Sequence, residues 1–262
     1  MKSATVARIA ESVRGHPVVW HSHRVDWDVT KPTNGFELSL QDSTHISEIS
    51  ASDAIVTVET GISVASLQAE LKAHGQCLPI SGFDDWTLAE LLAFNLPHPQ
   101  EHLHGAITDW ILGLTVVLGD GLMATCGSRV VKNVAGYDVH KLLVGARGTL
   151  GVVVEVTMRT CPIASIRPVD MPPSNAYNFV QRTRLTDFAA LVETVGSALV
   201  YAVPETATIW AKTLEAPARF EGDWIVQPGS VELRLAEMDL MRRAKAQFDP
   251  ASRLNPGAMG IF

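Results

Sequence analysis

Nine glycines crowd into residues 105–151: Gly105, Gly113, Gly119, Gly121, Gly127, Gly136, Gly145, Gly148 and Gly151. Glycine lets a backbone approach a bulky ligand closely and leaves amides open for hydrogen bonding. So dense a run reads either as a cofactor-lining segment or as a β-rich region with several tight turns. Residues 1–104 hold only five glycines, so whatever the glycines do is concentrated in one stretch. Five of the nine histidines also cluster, His21 with His23, and His98 with His102 and His104. Those spacings permit metal ligation from loops. Solvated loop histidines are the plainer reading, and no metal is expected. His140 reads as a surface helical histidine, and Asp84 and Asp85 as solvated turn acids. No GxSxG, HExxH or P-loop occurs, and no GxGxxG follows a strand and opens a helix, so no catalytic base is assigned.

The elements that must position these residues follow from local pattern. Residues 4–14 read as an amphipathic helix, with Val6, Ile9, Ala10 and Val13 at helical spacing. PVVW (17–20) and AIVTVE (54–59) read as strands. Ser63 is placed to cap VASLQAELKAHG, which Gly75 ends. CLPI follows as a short strand. TLAELLAFNL (87–96) reads as helix. PHPQEHLH (97–104) carries two prolines in three residues and is expected to lack regular structure. Gly119-Asp120-Gly121 between two β-runs signals a hairpin. Asp138 is placed to cap VHKLLV, and GVVVEVTMR reads as a long buried strand. Residues 163–229 hold scattered prolines and one helix at 185–195. A final helix carries Leu235, Met238 and Met241 on one face.

The whole chain has 262 residues and a net charge of -7, which suits a soluble globular protein with a sizeable core. No basic patch stands out, which argues against nucleic acid as a partner. No apolar run reaches the roughly 18–20 residues of a membrane span. Cys77, Cys126 and Cys161 lie far apart in sequence and form no CxxC pair. A disulfide framework is therefore not expected, and the cytoplasm is the expected compartment.

GAITDWILGLTVVLGDG, VVKNVAGYDVHKLLVGARGTLGVVVEVTM and FDPASRLNPG together resemble FAD-binding flavoproteins of the vanillyl-alcohol oxidase (PCMH-type) family. The likeness is nearest to the smaller FAD-domain subunits of bacterial glycolate oxidase complexes. VETGISVASLQAELKAHGQCLP resembles that family's first subdomain. The resemblance implies an α+β fold, with two subdomains holding FAD between them and a shortened cap domain. Its divisions would be an FAD-binding domain at 1–162, a reduced cap at 163–229, and a C-terminal helix and tail at 230–262 returning to the first domain. By match, Gly148, Thr149, Leu150, Gly151 and Val152 would line the flavin and adenine side with backbone groups. Lys132, Asn133, Gly136, Tyr137 and Asp138 would shape the pocket, and Asn255 would sit near the isoalloxazine. Tyr137 and Asp138 read equally well as a buried hydrogen-bonded pair that fixes the loop.

The sequence departs from that pattern at both loops that cradle the FAD diphosphate. Ser22, His23 and Arg24 stand at the first. At the second, Ala89 and Glu90 replace a glycine pair, Phe94 and Asn95 replace Ala and Gly, and Thr108 replaces an Arg. Glu90 would set a negative charge beside a diphosphate. Arg24 offers a charge-assisted contact in place of the lost amides. The resemblance implies an FAD-binding subunit of a 2-hydroxy-acid oxidoreductase complex. Its partners would be a larger FAD-binding subunit, which would handle the small 2-hydroxy acid, and an iron–sulfur subunit. Through those partners the chain would lie peripheral to the inner membrane. The substituted loops keep a second reading open, a cofactor-free structural or assembly subunit. A third is a stand-alone small oxidase.

Overall fold

The computed structural model describes residues 3–20, 35–127, 139–166, 179–212, 224–226, 235–256 and 258. Helix α1 (Ala4–Gly15) starts where the Ser3 hydroxyl accepts from the Val6 amide at 3.2 Å. Its residues Val6, Ile9, Ala10 and Val13 are buried, as their spacing predicts. Strand β1 (Val18–Trp20) is buried throughout and pairs in parallel with β2 (Phe36–Leu38). Next come β3 (Ile46–Ser50), β4 (Ile55–Glu59) and α2 (Val64–Ala73). Ser63 caps α2, and Val64, Leu67 and Leu71 form its buried face.

The strand expected at CLPI is shorter and earlier, β5 (Gln76–Cys77). Leu78 and Ile80 instead bond to the side chain of Gln68. Its carboxamide accepts from the Leu78 amide at 3.0 Å and donates to the Leu78 carbonyl at 2.8 Å. A side chain thus satisfies backbone groups that a neighbouring strand would otherwise take. Helix α3 (Leu88–Phe94) follows, continuous and wholly buried. The proline-rich stretch then departs from expectation and forms a one-turn helix, α4 (Glu101–His104). Both prolines precede residue 100, so the amides of the turn itself are free to bond.

Another single turn, α5 (Ile107–Trp110), leads into β6 (Ile111–Val117), which forms the expected hairpin with β7 (Met123–Gly127). After α6 (His140–Leu143), β8 (Val152–Arg159) runs up the middle of a five-stranded antiparallel sheet of order β3-β4-β8-β6-β7. Val152, Val154, Val156 and Met158 of β8 are buried in the core, while Val153, Glu155 and Arg159 on its other face are only partly covered, the alternation of an antiparallel strand with one face on the core. β9 (Cys161–Pro162) pairs with β5.

Residues 179–226 supply regular structure that their composition conceals. β10 (Phe179–Arg182), helix α7 (Phe188–Val195), β11 (Leu199–Val203), β12 (Thr208–Ala211) and β13 (Trp224–Val226) form a second antiparallel sheet of order β11-β12-β10-β13, with α7 packed on β12. It has its own small core, Leu191, Ile209 and Ala211 in one cluster and Val180, Val203 and Trp210 in another.

Helix α8 (Leu235–Phe248) returns the chain to the first sheet. Among the described residues no helix is long and apolar enough to cross a membrane. On the inner side of α8, Lys245 is only 3% exposed. Its ammonium donates to Asp249 Oδ2 at 2.7 Å, to the Thr149 carbonyl at 2.7 Å and to the Leu254 carbonyl at 2.6 Å. All three of its donors are thereby used. The Asp249 carboxylate also accepts from the amides of Arg253 at 3.0 Å and Leu254 at 2.7 Å. Burial pushes the Lys245 pKa down, and Asp249 opposes that shift. Removing the cation alone would strand a buried carboxylate. Lys245→Ala should therefore cost about 3–5 kcal/mol of stability, read from denaturant unfolding. A loss under about 1 kcal/mol would show that the network contributes little.

Candidate functional site

Two hollows share Trp20, Leu40 and Ala89 as walls. The first is an open cleft of about 220 Å³ reaching Glu37, Gln41, Thr87 and Glu90. The second reaches Gly148, Gly151 and Val152 and holds only about 10 Å³. That is about the space of one water molecule. Trp20, itself 4% exposed, is one of its walls.

At the first hollow stands the N-terminus of α3. The free amides of a helix start make an anion site when nothing else uses them. Here each is used. The Thr87 amide donates to Glu90 Oε2 at 2.9 Å, and the Glu90 amide to Thr87 Oγ1 at 3.2 Å. The Leu88 amide donates to the Ile62 carbonyl at 3.0 Å and the Ala89 amide to Thr60 at 2.7 Å. Glu90 is 3% exposed, and Thr87 Oγ1 also donates to its carboxylate at 3.0 Å. The reciprocal Thr87–Glu90 bonds are a capping box. The helix therefore carries its own anion.

The other end of α3 rests on the turn at residues 144–150. Gly145 donates its amide to the Leu92 carbonyl at 2.8 Å, and Arg147 donates to Ala93 at 3.1 Å. The Arg147 guanidinium lies over the Phe94 ring at 5.5 Å, and burial pushes its pKa down to about 10. Gly148 has φ of 69°, and a Cβ there would meet Asn255 Nδ2 at 3.0 Å and Trp20 Cε3 at 3.3 Å. A Cβ on Gly151 would meet Val116 Cγ2 at 2.3 Å. Both glycines are thus required by the chain's own packing. The Thr149 hydroxyl donates to Ala146 at 2.6 Å, while Leu150 and Val152 lie in the main core.

Asn255 is 1% exposed. Its Oδ1 accepts from the Trp20 amide at 2.7 Å, and its Nδ2 donates to the Arg147 carbonyl at 2.7 Å. The structure thus sets Gly148, Gly151, Val152 and Asn255 beside Trp20, whereas Thr149 bonds Ala146 and Lys245 and Leu150 joins the core. Lys132, Asn133, Gly136, Tyr137 and Asp138 lie outside the described residues, as do Ser22, His23 and Arg24.

The histidine-rich loop has a different employment. His98 is buried, and its Nε2 donates to the Gly105 carbonyl at 2.9 Å. His102 Nδ1 bonds the Pro99 carbonyl at 3.1 Å. Glu101 forms a two-pronged ion pair with Arg182 of β10, at 3.2 Å and 2.5 Å, and the turn Pro204–Thr206 packs on α4. The loop at the second diphosphate position is therefore where the smaller sheet docks. Among the described residues no three potential ligands group around a metal position, and His21 lies outside them. Asp84 and Asp85 are exposed, as expected. His140, expected at the surface, is buried, because one-turn α6 packs its first residue toward β6 and leaves Leu142 outside.

Sequence patterns did not single out Lys245, Asp249, Glu101 or Arg182. One signal was present for Lys245: it continues the stripe of Met238 and Met241, and Asp249 follows it by four residues. A lysine on an apolar helical face implies a buried partner.

The fold is similar to that of PCMH-type FAD-binding proteins. Alkyldihydroxyacetonephosphate synthase has a solved structure that superposes with a TM-score of 0.50 at 19% identity, over 72% of this chain and 37% of that one. Residues 3–127 match the family model described as FAD binding domain. Glycolate oxidase subunit GlcE of Escherichia coli is 30% identical over 135 residues, 50% of this chain and 39% of its own. Glycolate oxidase subunit GlcD of Bacillus subtilis is 30% identical over 136 residues, 51% of this chain and 29% of its own. D-lactate dehydrogenase of Archaeoglobus fulgidus is 30% identical over 129 residues, 49% and 29% respectively. The chain thus spans well under half the length of these relatives.

Family and relatives imply FAD as the group this fold takes. The start of α3 does not fit its diphosphate, since its amides are spent within the protein and the buried Glu90 carboxylate stands beside them. The void beside Gly148, at about 10 Å³, does not admit a ring.

The docking loop yields a pH prediction. Desolvation pushes the His98 pKa down, against smaller raising effects from Gly105 and Glu101. The unfolded imidazole takes a proton near pH 6.5, the folded one only at lower pH. Protons therefore favour the unfolded state across that interval, and stability falls as pH drops below about 6.5. Replacing His98 with Asn should flatten that part of the stability–pH curve. An unchanged slope would assign it to other groups.

Proposed function

We propose that the chain is the FAD-fold subunit of a glycolate-oxidase-like 2-hydroxy-acid oxidoreductase complex. The observation that carries this is the family match over residues 3–127, with GlcE and GlcD among the relatives. In this reading a larger FAD-binding subunit handles the small 2-hydroxy acid and an iron–sulfur subunit takes the electrons. FAD would be held by the backbone of Gly148 to Val152 and by Lys132, Asn133, Gly136, Tyr137 and Asp138. Asn255 would fix the tail against them. Bound flavin supplies a hydride acceptor, and the protein supplies position and electrostatics. In this reading helix α3 contributes no diphosphate contact, and the ring needs more room than the void beside Gly148 offers.

A specific observation favours a second role within the same complex. The Thr87–Glu90 capping box and the tightness of the void beside Gly148 suit a cofactor-free structural or assembly subunit. Purification with and without the two partner subunits separates the roles. Flavin absorbance on the isolated chain supports the first, and a colourless chain that co-elutes with the partners supports the second. A chain that neither binds flavin nor co-elutes overturns both.

The replaced glycines give a sharper measurement. Ala89→Gly with Glu90→Gly removes the buried carboxylate, frees the Thr87 amide and leaves no Cβ between a diphosphate and the backbone. Flavin fluorescence quenching should show FAD affinity rising about tenfold or more, since each ~1.4 kcal/mol is a factor of ten. Lost capping and added backbone entropy should cost about 2–3 kcal/mol of stability. Unchanged affinity in a folded variant would place the diphosphate elsewhere.

A further inference from the structure

Cys77 and Cys161 are 84 residues apart in sequence but face each other across the β5–β9 pair, with Sγ atoms 3.8 Å apart. Each sulfur also lies 3.6 Å from the other residue's carbonyl oxygen. Directly opposed residues of an antiparallel pair have Cα atoms about 4.5–5.5 Å apart. That lies inside the roughly 4.4–6.8 Å range that a disulfide bridges. Both residues are partly exposed and their thiols free. The surroundings are held firmly. Ile163 donates its amide to Gly75 at 3.1 Å, and Thr160 Oγ1 donates to Gln76 Oε1 at 2.9 Å. Rotation of the two thiols about their side-chain bonds is therefore the movement that bond formation needs.

We propose that Cys77 and Cys161 form a reversible redox pair, closing to an intramolecular disulfide when a small-molecule disulfide such as oxidised glutathione is in excess. The electron balance is simple. The Cys77 thiol loses its proton and its sulfur attacks the oxidant's disulfide, expelling one thiolate. The Cys161 thiol then loses its proton, and its sulfur attacks the mixed disulfide at Cys77, forming the protein S–S bond and expelling the second thiolate. The protein gives up two electrons and two protons, and the oxidant leaves as two thiols. Burial, with Cys77 beside it, pushes the Cys161 thiol up to about 12, and burial also raises Cys77. The raised thiols make the first attack, by Cys77 on the oxidant, the slow step, and facing placement favours the second. The closed bridge would staple the strand after α2 to the strand after β8, the ends of two elements of the main domain.

Cys126→Ser leaves this pair as the chain's whole thiol content, so its oxidation can be counted directly. After incubation with oxidised glutathione, thiol titration should fall from two per chain to none. The mass should drop by two protons, and a peptide map should join the segments carrying Cys77 and Cys161. The unfolding midpoint should rise by roughly 5 °C or more, and dithiothreitol should reverse it. Stable glutathione adducts on both cysteines, disulfide-linked dimers, or two surviving thiols would each overturn the proposal. The same map on the unsubstituted chain guards against a folding defect in the variant. A bridge between Cys126 and either partner there would overturn it too.

Discussion

A buried polar group must find partners inside the protein, and at the junction of the tail with the first sheet that requirement organises everything around it. Lys245, Asp249 and Asn255 sit there almost without solvent contact. Their bonds gather segments that are remote in sequence: the first strand through Trp20, the 144–150 turn through Arg147 and Thr149, and the tail through Leu254. Apolar packing alone tolerates sliding, but a carboxamide bonded at both ends does not. The placement of Trp20 against Gly148, and hence the shape of the cleft, follows from these few bonds.

Helix α3 shows how a helix start is satisfied from within the protein. A helix start with free amides has an unmet need for negative charge. The Thr87 amide bonds Glu90 and the Glu90 amide bonds Thr87, while the Leu88 and Ala89 amides go to the Ile62 and Thr60 carbonyls. Local capping and neighbouring backbone thus divide those donors between them. Downstream, α4 holds the smaller sheet through Glu101 and Arg182.

Much of the first domain was legible because its elements have simple periods. The spacing of Val6, Ile9, Ala10 and Val13, the cap at Ser63, the hairpin at Gly119–Gly121 and the apolar run of β8 each have one economical structural solution. The continuous helix at TLAELLAF was legible too, since nothing in it breaks a helix. The smaller sheet was not, because its strands are three to five residues long and their partners come from distant segments. His140 misled because a single helical turn has no face of its own, and packing decides its exposure. Gly148 and Gly151 were visible as glycines that permit close approach. What approaches them in the structure is Trp20, Asn255 and Val116, and spacing carries no record of that. Cys77 and Cys161 look unrelated in sequence because only strand register unites them.

The pairing of Val18 with Leu254 has a kinetic side. The amide of Val18 donates to the Arg253 carbonyl at 2.6 Å, so β1 depends on residues synthesised more than two hundred positions after it. Until those emerge, β1 and the inner face of α1 lack part of their covering. The nascent chain must hold that apolar surface uncommitted over that interval, a condition that favours chaperone engagement and slows folding.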